Sequence, residues 1–333
     1  MKAFRIDGPG NAIVVDVPET APPGDEVLLR VKMVGLCGTD LNTFRGRNAM
    51  VEFPRIPGHE VAAEVVEGGD DLQAGTMVTV LPYTSCGLCA SCRRGRSNAC
   101  RSNQTMGVQR DGAMMEYIRV PREKLYPARL SVVELGLVEP LTVGFHAAAR
   151  GRVAKEDFAA VFGCGGVGLG AIASCAFRGA ETIAIDMDDA KLEIARKAGA
   201  KHLVNTAREN VHERLREITA GHGPDVVIEA IGLPETFRAA VEEVAFTGRV
   251  VYIGYAKEPV SYETRLFVQK ELDIMGSRNA LPENFLEVIQ MLEAGRFPVK
   301  DAVSAIVPIE DAGRMLAEWS AAPGRFTKIM VQM

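Results

Sequence analysis

The sequence runs to 333 residues, enough for two domains with sizeable hydrophobic cores. Hydrophobic residues at 47% and charged residues at 24% are ordinary for a soluble globular protein. With 38 Lys and Arg against 43 Asp and Glu, a formal net charge of -5, no basic excess is left to hold nucleic acid or an anionic membrane, and neither is expected as a partner.

The opening residues, MKAFRIDGPG, lack the apolar core of a secretory signal, and no apolar run approaches the ~20 residues of a membrane span. The expected location is the cytoplasm, a reducing compartment in which disulfides rarely persist. Through the first 145 residues the chain shows short β-like runs broken by Gly and Pro. EVLLRVKMVG (26–35), EVAAEVVEGG (60–69) and GTMVTVLPY (75–83) are the clearest, with PPG and GGDD marking turns. This predicts a β-rich, barrel-like domain.

Residues 83–100, YTSCGLCASCRRGRSNAC, gather Cys86, Cys89, Cys92 and Cys100 out of seven cysteines. An odd total in a reducing compartment argues against a disulfide framework. The spacing C-x2-C-x2-C-x7-C matches neither a thioredoxin-type pair nor the bacterial ferredoxin run, whose fourth Cys follows after three residues and precedes a proline. Four thiolates this close suit a tetrahedral structural zinc, with an iron–sulfur cluster as the alternative. Gly87, Gly95 and the small Ala90, Ser91 and Ala99 let the backbone curl around an ion. Arg93, Arg94 and Arg96 can offset its negative charge, although a solvated charge run reads the same way. A closed four-thiolate site has no position for a substrate, so the chemistry is expected elsewhere.

From about residue 153 strands alternate with amphipathic helices. FAAVFG (158–163) reads as a strand and a helix opens at Gly166. ETIAIDMD (181–188), DVVIEAIG (225–232) and RVVYIGY (249–255) are further strands, with DDAKLEIARKAGA (188–200) and PETFRAAVEEV (234–244) helical. Such alternation predicts an α/β, doubly wound parallel sheet. FAAVFGCGGVGLGAI carries G-x-G-x-x-G at Gly163, Gly165 and Gly168, after an apolar strand and at a helix start. The first glycine permits the tight turn, the second lets the backbone approach a pyrophosphate, and the third lets helix and strand pack closely. Asp186 lies 23 residues after the first glycine, where a carboxylate can bond both ribose hydroxyls of NAD and repel the 2′-phosphate of NADP. No Arg or Lys adjoins it in Met187-Asp188-Asp189-Ala190, so NAD is favoured. From about residue 276, PENFLEVIQMLEAG and IEDAGRMLAEWSA read as helices.

Three thiols remain. Cys164, in the glycine loop, and Cys175, on its helix, fit small buried residues. Cys37 sits in VGLCGTDLNTF at the end of a β-run, and His59 and Glu60 follow a Pro-Gly turn in IPGHEVAAEVVEGG. His202, His212 and His222 occupy helix-and-loop surroundings typical of a solvated surface, and His146 lies on the helix expected between the domains.

GLCGTD, GHE, the four-cysteine lobe, EPL (139–141) and GCGGVG occur in the order found in the zinc-dependent medium-chain alcohol dehydrogenase superfamily, which the whole chain resembles. Within it, VLPYTSC, GVQRDGAMMEYI and IMGSRNALPENF are similar to the sorbitol dehydrogenase-like branch, and most to the L-galactonate and L-gulonate 5-dehydrogenases. The resemblance implies a GroES-like catalytic domain over 1–145 with a structural zinc lobe at 83–100. It further implies a Rossmann-type NAD domain over 146–275 and a return to the catalytic domain over 276–333.

It also implies roles. Cys37 and His59 match two catalytic-zinc ligands, and Glu60 matches an acid that ligates or swings towards the metal. Glu139 occupies the place of a third ligand, and the sequence leaves open which glutamate binds. Asp40 matches the acid that orients the ligand histidine, and Thr39 the inner hydroxyl of a proton relay. Asn42 stands where many relatives carry the outer relay histidine, so the proton needs another route. Gly166 and Val167 join the phosphate loop, and Thr142 and Val143 are expected beside the nicotinamide. Two zinc ions per subunit and NAD are the implied cofactors, and a homodimer or homotetramer the implied assembly. Ser277, Arg278 and Asn279 are candidates for the substrate, with Arg278 suited to a sugar-acid carboxylate. Arg45, Arg47 and Arg110 are weaker candidates.

The reading is oxidation of a secondary hydroxyl of a sugar acid or polyol with NAD as acceptor. Sorbitol or xylitol, L-threonine and general alcohol dehydrogenases fit the same metal and cofactor residues. Asn42 tells against the threonine enzymes, and intact Cys37, Thr39, His59 and Glu139 tell against a non-catalytic NAD- or zinc-binding protein.

Overall fold

A computed structural model describes residues 1–19, 26–67 and 71–333. The PPG turn and the Gly68–Asp70 part of GGDD lie outside the described residues. Contacts divide the chain into two units. The first is Met1–Glu139 with Leu281–Glu293 and Val299–Met333, and the second is Pro140–Ala280 with Ala294–Pro298. The sequence reading places the first division at 145, and both positions fall inside one uninterrupted helix, Val132–Arg150. Pro140 lies inside that helix, where it lacks the N–H that would bond the preceding turn.

In the first unit, Lys2–Gly8 and Asn11–Asp16 form an antiparallel hairpin. The long strand Glu26–Leu36 is the centre of a seven-stranded sheet among the described residues. Its early part alternates, with Leu29, Val31 and Met33 buried and Arg30 exposed. Its last residues, Met33–Leu36, are buried throughout because both flanks are covered. Glu60–Glu67 pairs along one side, with Gly35 opposite Glu60. Ile329–Gln332 pairs along the other, with Ile329 opposite Leu36. Val31, Val34, Val61, Val65, Val80 and Ile118 anchor the core between them. This register, linking three distant segments at one strand end, positions the site.

In the second unit six parallel strands lie in the order His202–Asn205, Glu181–Asp186, Phe158–Phe162, Val226–Glu229, Arg249–Tyr252, Asp273–Gly276. Chain order runs outward in both directions from Phe158–Phe162, so the switch point lies between that strand and Val226–Glu229. Ligands of such sheets bind beyond the carboxyl ends there. The strands are apolar runs because both faces are covered.

The helix Val132–Arg150 is long and apolar enough to cross a membrane by composition, but 72% of its most apolar window is buried inside the protein, as a core helix requires. His202 lies on a strand rather than in helix-and-loop surroundings, half-buried with Nε2 2.9 Å from Glu181 Oε1.

Candidate functional site

Cys37 closes the long central strand and caps the helix Gly38–Phe44. Asp40, at the third helical position, returns its Oδ2 to accept the Cys37 N–H at 2.9 Å, so the thiol is fixed at a rigid strand-to-helix junction. Thr39 Oγ1 lies 3.8 Å from Cys37 Sγ. Across the sheet, the Gly35–Glu60 register brings His59 and Glu60 alongside. One donor atom from each of Cys37, His59 and Glu60 lies within 4.8 Å of the other two. Glu139 is outside this trio, and its Oε1 accepts a short hydrogen bond from the Tyr83 hydroxyl.

Two residues here carry no role in the sequence reading. Lys328, just before the strand Ile329–Gln332, donates to both carboxylate oxygens of Glu60 at 2.6 and 2.7 Å. Tyr83 was visible only as part of VLPYTSC. Neither carries a local signal in the sequence, since sheet register alone sets Lys328 against Glu60.

Asp40, His59, Tyr83, Glu60, Glu139 and Lys328 are all under 10% exposed. Burial pulls Lys328 towards neutrality, but the charges of Glu60 and Cys37 outweigh it and hold the ammonium above its ordinary range. Burial, the charge of Glu139 and their hydrogen bond push Tyr83 well above its usual value, so the phenol is a donor. Burial also raises the carboxyl groups of Asp40 and Glu139. Three carboxyl groups, a thiol, an ammonium and an imidazole thus share a dry place, where buried charge without a partner is costly. His59 Nδ1 and Asp40 Oδ1 are buried and have no hydrogen-bond partner among the described residues. A divalent cation would settle the charge, and a thiolate, imidazole and carboxylate are the donors that zinc takes. These residues fit zinc.

The four-cysteine lobe is a second such cluster. Cys89 Sγ lies 3.5 Å from Cys92 Sγ and 3.8 Å from Cys100 Sγ, and Cys100 Sγ lies 3.6 Å from Cys86 Sγ. A tetrahedron with Zn–S bonds of ~2.3 Å has edges of ~3.8 Å, whereas a disulfide needs ~2.05 Å. Backbone N–H groups of Cys86 and Ser102 point at Cys100 Sγ, at 3.3 and 3.4 Å, as they would towards a thiolate. The hydroxyl of Ser91 and backbone N–H groups draw Cys89 down to about 5. The lobe fits zinc as well.

In the second unit, Gly163 leaves its strand with φ +96°, where a Cβ would meet Ile231 at 2.7 Å. A Cβ on Gly168 would meet the carbonyl of Gly163 at 1.9 Å, so helix and turn can close only on a glycine. At Gly165 a Cβ would meet nothing within 4 Å, leaving an open cradle before the helix Gly166–Phe177, which includes Val167. Asp186 ends its strand with Oδ2 accepting from Cys164 N at 2.8 Å and Oδ1 from Met187 N and Asp188 N at 2.8 and 3.1 Å. Glycine loop, helix start and oriented acid meet at the switch point and fit a dinucleotide. Thr142, fully buried, and Val143 follow Pro140 on their helix. Ser277 is buried with Oγ lacking a partner among the described residues, Arg278 is exposed, and Asn279 takes φ +53°. Cys164 and Cys175 are buried and free. Of the weaker candidates, Arg45 is tied to Ser320 and Arg110 leans on the Pro82 carbonyl.

Comparison with known proteins decides the family. Residues 166–294 match the zinc-binding dehydrogenase family and 23–130 the alcohol dehydrogenase GroES-like domain. The chain is 34% identical over 279 residues to L-galactonate-5-dehydrogenase of Escherichia coli K12, covering 82% of each chain. It is 34% identical over 287 residues to sorbitol dehydrogenase of Bacillus subtilis 168, covering 83% of this chain and 81% of that one.

The chain belongs to the zinc-dependent medium-chain alcohol dehydrogenase superfamily.

Within it the chain is sorbitol dehydrogenase-like, with a GroES-like domain and a Rossmann-type parallel sheet. The short chain alcohol dehydrogenase RspB of E. coli CFT073, solved with its cofactor NADH, superposes with a TM-score of 0.91 at 25% identity, covering 100% of this chain and 99% of that one. By class this medium-chain dehydrogenase is an NAD-dependent alcohol dehydrogenase that uses zinc.

Proposed function

We propose that this dehydrogenase oxidises a secondary hydroxyl of a sugar acid or polyol and passes the hydride to NAD, in the manner of an L-galactonate or L-gulonate 5-dehydrogenase. The observation that carries the chemistry is the cluster of half-buried Cys37 with buried His59 and Glu60, whose donor atoms lie within 4.8 Å of one another. The likeness to L-galactonate-5-dehydrogenase over most of both chains supports the substrate class.

Cys37, His59 and Glu60 would hold the catalytic zinc, with Glu139 and its Tyr83 partner close by, and the four-cysteine lobe would hold a second zinc. When bound, zinc supplies the Lewis acidity that an alcohol needs to lose its proton near neutral pH, and NAD accepts the hydride. Thr39 Oγ1, 3.8 Å from Cys37 Sγ, takes up the proton of the substrate hydroxyl. Asn42 cannot exchange it, so the proton leaves towards Glu60, Glu139 or the ribose hydroxyls. Asp40 keeps Cys37 at the strand end. Gly163, Gly165, Gly166, Val167 and Gly168 cradle the pyrophosphate, Asp186 takes the ribose, and Thr142 and Val143 flank the nicotinamide. Ser277, Arg278 and Asn279 meet the polar substrate, with Arg278 on the carboxylate. We place the enzyme in the cytoplasm as a homo-oligomer.

The second reading is a neutral-polyol dehydrogenase, favoured by the equal identity to sorbitol dehydrogenase. Initial rates of NADH formation on L-galactonate, L-gulonate, sorbitol, xylitol and L-threonine separate the two. A sugar-acid preference lost in Arg278→Ala supports the first reading, and preference for neutral polyols establishes the second. Silence on all five removes the substrate class.

A further inference from the structure

The two glutamates of the site are held by partners of different kinds. Tyr83 gives Glu139 a neutral donor on one oxygen. Lys328 gives Glu60 a full positive charge, bonded to both oxygens at 2.6 and 2.7 Å, with a third contact to the Leu36 carbonyl at 3.3 Å. The side chains of Lys328 and Glu60 are 7% and 1% exposed, so water does not screen the pair. Sheet register fixes the contact. Ile329 pairs with Leu36 and Glu60 pairs with Gly35, so the residue before Ile329 arrives at the strand end that carries Cys37. Glu60 is therefore shared between the Lys328 ammonium and the cluster it forms with Cys37 and His59.

A carboxylate that serves an ammonium through both oxygens donates less to a metal than a free one, because the same lone pairs and the same charge are shared. We infer that Lys328 is a positioning residue that weakens Glu60 as a zinc donor, making it the member of the donor set that the protein can loosen. The inference rests on the metal-site reading above. Its counterpart is Glu139, whose phenol partner leaves its charge undiminished. Lys328 thus sets how firmly the metal is gripped, chiefly through the two bonds it makes to Glu60.

The test is a double-mutant cycle in the full-length protein, read as zinc affinity against a chromophoric chelator and as the visible spectrum of the cobalt-substituted protein. Lys328→Met is expected to bind zinc at this site about tenfold more tightly, within the range over which partners of metal ligands tune affinity, and to shift the cobalt bands. Lys328→Arg, which keeps the charge, stays close to wild type. In a Glu60→Gln background Lys328→Met has no further effect. Should Lys328→Met fail to fold, Lys328→Gln, which keeps a donor and drops the charge, carries the same expectation. Unchanged or weaker zinc binding, or a gain that persists with Glu60→Gln, overturns the inference. A wild-type chain that takes up only one zinc, lost with Cys86→Ser, instead overturns the metal-site reading beneath it.

Discussion

Tyr83 donates its phenolic hydrogen to Glu139, and both side chains are buried although 56 residues separate them. The contact gives an acid in the site a fixed donor. Tyr83→Phe keeps the ring and its packing and removes only that donor. Leaving a buried acceptor unmet costs about 1–3 kcal/mol, more when it is charged. The expected result is a lower melting temperature and turnover reduced roughly tenfold, one lost hydrogen bond in the barrier. Steady-state rates and thermal denaturation check it, and a variant equal to wild type in both would show that the contact does not matter.

Gly35 faces Glu60 across the sheet so closely that a Cβ would lie 1.9 Å from Glu60 Oε2. The carboxylate cannot swing aside freely, since Lys328 holds both of its oxygens. Gly35→Ala is therefore expected to displace Glu60, lowering zinc content by one ion and removing activity while the four-cysteine lobe stays loaded. Metal analysis of the purified variant decides this. Full zinc content with normal rates would mean that Glu60 is dispensable to the metal.

Legibility in the sequence followed the range of each interaction. The strands Phe158–Phe162 and Glu181–Asp186, the glycine loop and the four cysteines are local patterns in which neighbours in sequence are neighbours in space. The strand Glu26–Leu36 was legible for the same reason, through its alternation. The strand His202–Asn205 was not, because its two apolar residues are flanked by His and Asn, whereas the equally short Val226–Glu229 opens with three apolar residues in a row. Lys328 and Tyr83 escaped because their meaning comes from register: Lys328 meets Glu60 across 268 residues of chain. The resemblance implies that Asp40 orients His59, whereas its bond to the Cys37 N–H, set at the strand-to-helix junction, carries no signal in the sequence.

Cys100 is the fully buried member of the lobe and receives backbone N–H groups from both sides. Cys100→Ser removes one thiolate, and structural zinc contributes on the order of 10 kcal/mol in zinc-finger peptides. Loss of one zinc is expected, together with faster proteolytic cleavage within 83–100, while NADH binding to the second unit persists. Retention of both ions would point to a lobe that needs only three thiolates.

Asp186 is already oriented by three backbone N–H groups from Cys164, Met187 and Asp188. In the proposed ribose role its charge would face any phosphate added at the 2′ position without freedom to turn away. Two unit charges ~4 Å apart repel by ~4 kcal/mol at an effective dielectric of about 20, and partial exposure reduces this. Asp186→Asn keeps one acceptor oxygen and removes the charge. The ratio of kcat/KM for NAD to that for NADP is expected to fall at least tenfold, mainly through better use of NADP. The turn loses some support, so the NAD value also drops modestly. An unchanged ratio would move discrimination to Asp188 or Asp189, the neighbouring acids, and the same measurement on Asp188→Asn would then test that assignment.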